Sequence, residues 1–164
     1  MKSPLWSNLF HNWNSQESEK VLALKEVPVF ASLSDKELDE IEKLTHERKY
    51  QSGEDVFKQF APAEGMFIII SGSVEIYIEN DGSKNILAEL SDRDFFGEIA
   101  LLDDKPRSAG AVATTPSILL GFFKPDLLSL MERNPSLSSK ILTNLGTVLA
   151  ERLRKTNELL AEKT

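Results

Sequence analysis

At 164 residues the chain is the size of one domain with room for a buried core. Its 26 acidic against 19 basic side chains leave a net charge of −7, which argues against general binding to nucleic acid or to anionic membranes. There is no cysteine, so disulfides, thiolate metal sites and a cysteine nucleophile are excluded.

The N-terminal stretch MKSPLWSNLFHNWN is broken by His11, Asn12 and Asn14 and lacks the continuous apolar core of a signal peptide. Leu5, Trp6, Leu9, Phe10 and Trp13 recur at helical spacing. That stripe suits packing on the domain or a dimer mate, or docking on a partner or a membrane surface. The polar run NSQESEK follows as a joint, and residues 1–26 read as an N-terminal helical extension of unknown role. Ser34 with Glu37 three residues on is a capping-box signature, and Leu38, Ile41 and Leu44 continue at helical spacing. Beyond Tyr50 the period shortens to that of strands: EDVFKQF, GMFIIISGSVEIYIEN, KNILAEL, AGAVATTP and SILLGFF. Asn80-Asp81-Gly82 predicts a hairpin turn, with Val74, Ile76 and Ile78 on one face and Glu75, Tyr77 and Glu79 on the other. Short strands in this series predict an antiparallel sandwich or barrel. The longest apolar run, residues 66–70, is far too short to span a bilayer.

Helix returns after Pro125 and breaks at Asn134-Pro135. The last segment is a long amphipathic helix in which Gly146, Leu149, Leu153, Thr156 and Leu160 step by three and four. This stripe fits either packing on the chain's own sheet or a dimer seam. Arg152, Arg154 and Lys155 beside it read as a solvated face.

The stretch FGEIALLDDKPRSAG, from Phe96 to Gly110, places one arginine in an acidic loop. A short helix opening at Gly97 offers unpaired backbone N–H groups near Ile99 and Ala100, which suit an anion. Arg107 can add a bidentate fork, Ser108 a hydroxyl and Ala109 an amide, with Pro106 stiffening the return. Glu98, an acceptor only, suits the donor hydroxyls of a sugar next to that anion. The plainer alternative is a Glu98–Arg107 ion pair at a barrel corner. His11 and His46 lie in different segments, which argues against a clustered metal centre. Asp103 and Asp104 read as a solvated loop, and no catalytic Ser/His/Asp grouping or Walker loop is present.

FGEIALL…PRSA closely resembles the phosphate-binding cassette of the cyclic nucleotide-binding domain family, and VPVFASLS, SGSVEIY and RLRKTNELL extend the resemblance over residues 27–164. The resemblance implies an eight-stranded antiparallel jelly-roll barrel with N-terminal helices and a long C-terminal helix. It implies that Gly97 and Glu98 bind ribose, and that Arg107, with Ser108, the Ala109 amide and the Ile99–Ala100 turn, binds the cyclic phosphate. Ile76 and Leu87 are expected to line the pocket, and Thr156 and Asn157 to reach the base. The usual glycine-aspartate turn before the cassette reads Arg93-Asp94 here.

The expectation is therefore a non-enzymatic, cytoplasmic sensor that takes cAMP, or second cGMP, as ligand and needs no cofactor or metal. It would signal through its C-terminal helix to a partner or across a homodimer. The sequence ends where bacterial regulators of this family begin a helix-turn-helix, so direct DNA binding is not expected. A scaffold module with a nucleotide-silent pocket is the alternative.

Overall fold

The computed structural model describes residues 18–163. The apolar stripe from Leu5 to Trp13 and His11 lie outside the described residues. Helix α1 (Glu19–Glu26) is capped by Ser18, and helix α2 (Asp35–Glu42) by the expected reciprocal bonds of Ser34 and Glu37. Eight strands follow: β1 (His46–Tyr50), β2 (Asp55–Phe57), β3 (Gly65–Ser71), β4 (Val74–Asn80), β5 (Ser83–Leu90), β6 (Phe95–Phe96), β7 (Gly110–Ala113) and β8 (Ser117–Phe123). Helices α3 (Lys124–Arg133) and α4 (Pro135–Glu162) close the chain. Asn134 separates them and caps α4, its side chain accepting from the Leu137 N–H at 3.2 Å.

The strands form two four-stranded antiparallel sheets, β1-β8-β3-β6 and β2-β7-β4-β5. This is the jelly-roll expected from the sequence. Strand β3 explains how the helices attach to it. Phe67 and Ile69 face the space between the sheets, with Val74, Phe96 and Leu119. Met66, Ile68 and Ile70 face the other way, onto Leu24, Phe30, Ile41, Leu127, Ile141 and Leu145 of the helical layer. Both faces of the strand are covered, so its sequence is a continuous apolar run and not an alternation. Helix α1, which falls within residues 1–26, buries Val21, Ala23 and Leu24 in this same core.

Two local features depart from simple strand periodicity. Ile76 pairs with Ala88 but Tyr77 pairs with Ile86, which leaves Leu87 as the extra residue of a β-bulge. Tyr77, expected on the polar face, is buried, with its hydroxyl 3.4 Å from Asp55 Oδ1. On α4, the residues packed against the core are Leu137, Ile141, Leu145 and Val148. The stripe of Gly146, Leu153, Thr156 and Leu160 is exposed, with Leu149 half-buried between the two. From Glu151 to Lys163 every residue of α4 and its cap is exposed.

Candidate functional site

The cassette begins where β6 ends. Gly97 adopts φ 77°, in the left-handed region, and starts a 3-10 turn over Glu98–Leu101. A Cβ at Gly97 would sit 2.6 Å from Arg107 Nη1 and 3.2 Å from the Gly65 carbonyl oxygen, so this position needs glycine on two counts. Leu101 anchors the turn in the helical core, while Ile99 stays exposed. The Ala100 N–H, one of the expected anion donors, is used within the turn on the Gly97 carbonyl at 3.2 Å.

Arg107 is only 7% exposed. Its backbone is locked into the β2–β3 loop: the Arg107 N–H donates to Ala61 O at 2.9 Å and Arg107 O accepts from the Phe60 N–H at 2.8 Å. Its guanidinium donates from Nη1 to Gly97 O at 3.2 Å and from Nη2 to Gly65 O at 2.6 Å. It lies 4.0 Å above the Phe57 ring, and Phe57 rests on Phe67 and Phe96 at 6.0 and 5.8 Å. Burial pushes its pKa below the ordinary arginine value, while Glu64 and Glu98 push the other way. An arginine remains cationic through such a shift. Arg107 Nε is buried without a hydrogen-bond partner. A buried donor left unpaired costs stability, and an acceptor brought into the site would restore it.

Glu98 is 2% exposed and does not pair with Arg107. Its Oε1 accepts from Arg152 Nη1 of α4 in an ion pair between a buried carboxylate and a half-exposed guanidinium. The Arg152 guanidinium also lies 5.0 Å over the Phe95 ring. Arg152 therefore belongs to the site and not to a solvated face. Its recurrence in the Arg152-Arg154-Lys155 cluster hid it: nothing in the sequence distinguishes the one cation whose helical phase points at the cassette.

These groups surround a cavity of about 450 Å³, within the range of small-ligand sites. Gly97, Glu98, Ile99, Ala100, Arg107, Ser108 and Ala109 line it, joined by Ile76, Ala88, Leu90, Phe95, Lys105 and Arg152. Leu87 does not. It is 57% exposed, because the bulge hands the inward position to Ala88. Thr156 and Asn157 are also outside the lining; they lie on the exposed part of α4, where Thr156 Oγ1 donates back to Arg152 O at 2.9 Å. The Arg93-Asp94 turn holds its shape without glycine. Arg93 takes φ 73°, its Nη1 donates to Glu19 O of α1 at 3.2 Å, and Asp94 Oδ2 accepts from the Ser91 N–H at 2.9 Å.

The two aspartates of the cassette act locally: Asp104 pairs with Lys124 at 2.5 Å and Asp103 accepts from the Lys105 N–H at 3.3 Å. His46 pairs with Asp126, and no metal-binding cluster occurs among the described residues. No helix among them is long and apolar enough to cross a membrane.

Comparison with known proteins gives the same answer. Residues 47–134 match the cyclic nucleotide-binding domain model. Over 133 residues the chain is 34% identical to the cyclic AMP receptor protein of Thermus thermophilus, covering 80% of this chain and 60% of that one. It is 37% identical over 92 residues to a cAMP-dependent protein kinase regulatory subunit of Colletotrichum orbiculare, covering 56% of this chain and 23% of that one. The fold matches the crystal structure of the Thermus thermophilus catabolite activator protein with a TM-score of 0.74 at 33% identity, over 82% of this chain and 62% of that chain. The chain spans 60% or less of these curated relatives. A buried arginine and a buried glutamate across a glycine turn, on a jelly-roll with these relatives, place the chain in the cyclic nucleotide-binding domain family.

Proposed function

We propose that the chain is a sensor for a cyclic mononucleotide, cAMP before cGMP, and not an enzyme. The observation that carries this is Arg107, buried in the cavity with Nε unpartnered while its two Nη atoms hold the backbone carbonyls that shape the site. A cyclic phosphate would accept from Arg107, Ser108 and the Ala109 amide. The ribose 2′-hydroxyl would donate to the Glu98 carboxylate, beside the oxygen that Arg152 holds. The base would lie against Ile76, Ala88 and Leu90. Thr156 and Asn157 would join it only as α4 advances over the mouth. The preference for cAMP is supported by the names of the relatives.

In this reading α4 is the output. Arg152 ties the helix to the ribose-binding carboxylate, so a ligand that changes the surroundings of Glu98 changes the helix position at equilibrium. The exposed Leu153 and Leu160, with Leu149, offer a seam to a second copy or to a partner in the cytoplasm. A thermal-shift titration tests the reading. Ligand at 100 times Kd stabilises by about 2.7 kcal/mol, a rise of roughly 5–10 °C for a chain of this size. No shift with either cAMP or cGMP would support the nucleotide-silent scaffold instead.

A further inference from the structure

A ligand phosphate carries a negative charge, and the chain it must approach carries a net −7. The cassette itself adds Glu98 and Asp103 to the cavity lining. The cations available there are few and mostly committed. Arg107 is buried and donates to Gly97 O and Gly65 O. Arg152 is held by Glu98, and Lys124, which does not line the cavity, by Asp104 at 2.5 Å. Lys105 differs from all three. It lines the cavity, it is exposed, and its ammonium enters no ion pair among the described residues. Its backbone is fixed, with the N–H on Asp103 Oδ1 at 3.3 Å, two residues before Arg107.

We propose that Lys105 is the steering residue of the site: a solvated positive charge at the cavity mouth that draws the anionic ligand in and then takes no part in holding it. The inference rests on the nucleotide reading above. Steering by an exposed charge acts on association and fades with salt, whereas a buried contact acts on dissociation. The two roles therefore leave different kinetic signatures.

A unit charge met at about 8 Å in water, with little screening at low salt, changes the encounter rate roughly two- to threefold. K105Q should slow association by about that factor at low salt, and K105E by about its square, roughly four- to ninefold. Dissociation should stay as in the parent. K105R should restore the rate, and K36Q, which removes an equal charge from α2 away from the cavity, should leave it unchanged. Stopped-flow mixing with fluorophore-labelled cAMP at low and at about 1 M salt measures all of this, since the Debye length there falls to about 3 Å. Support is a loss in association rate for K105Q and K105E that vanishes at high salt. An unchanged rate at low salt, a loss that survives 1 M salt, or a faster dissociation would each overturn the assignment. A parent chain that binds neither labelled nor unlabelled nucleotide would overturn the nucleotide reading and the steering role with it.

Discussion

Removing Arg152 tests whether α4 is coupled to the cassette. The Glu98 side chain is 3% exposed, and the Arg152 side chain that neutralises it is 49% exposed. Breaking a fully buried pair from one side costs about 3–5 kcal/mol. Half-exposure of the arginine reduces that to about 1–2 kcal/mol, since water already screens one partner. Loss of the contact over the Phe95 ring, at 5.0 Å, adds about 0.5–1 kcal/mol. Arg152→Ala should therefore destabilise by about 2 kcal/mol, a fall in Tm of roughly 4–8 °C. Glu98→Gln should cost less, because the arginine it frees can turn to solvent. The decisive quantity is the double-mutant cycle in urea. The double variant should recover about 1–2 kcal/mol of the summed losses. Hydrogen exchange should also quicken in α4 beyond Glu151 in either single variant. Additivity within about 0.5 kcal/mol, with unchanged exchange, would show that the pair couples nothing.

Other substitutions test the cassette and its supports. Gly97→Ala should abolish nucleotide binding and lower Tm, because its Cβ meets Arg107 Nη1 at 2.6 Å in a left-handed backbone; a variant that binds like the parent would refute the close-approach argument. Arg93→Ala should lose about 1 kcal/mol by keeping the left-handed φ while dropping the bond to Glu19 O, whereas Arg93→Gly should be near neutral, as thermal unfolding of the pair will report. Glu37, with its pKa lowered first by its bond to Lys140 and then by the Ser34 N–H, contributes stability at and above the ordinary carboxylate pKa of about 4.3 and loses it as pH falls through its lower folded value; Glu37→Gln should destabilise at pH 7 and flatten that acid limb in denaturant titrations.

The sequence was most legible where one residue type has one job. The Ser34–Glu37 capping box, the Asn80-Asp81-Gly82 turn with φ 52° at Asp81 and 75° at Gly82, and the Asn134 break all stand as read. So does the gathering of Gly97, Glu98, Arg107, Ser108 and Ala109 around one cavity, because a left-handed glycine and a proline-stiffened arginine have local causes. Leu87, expected in the pocket from the family resemblance, lies outside the lining because a single-residue bulge turns Ala88 inward in its place, and neither a matched position nor alternation carries a mark of the bulge. Arg152 was missed for a related reason. Its partner lies 54 residues away, and only the packing of α4 on the barrel decides which of three neighbouring cations meets Glu98. On α4 the sequence left two readings of the stripe open; the face packed on the core, Leu137 to Val148, runs beside that stripe, with only Leu149 of the stripe packed against the core.

The central claim, that the cavity takes a cyclic nucleotide on Arg107, is tested most directly by calorimetric titration of the parent, Arg107→Lys and Arg107→Ala with cAMP and cGMP. The account predicts binding by the parent, a loss of about 2–5 kcal/mol for Arg107→Ala, roughly 30-fold to several thousand-fold in Kd, and a smaller loss for the folded Arg107→Lys, which keeps the charge without the fork. A parent that binds neither nucleotide, or an Arg107→Lys and Arg107→Ala pair that binds as tightly as the parent, would contradict it.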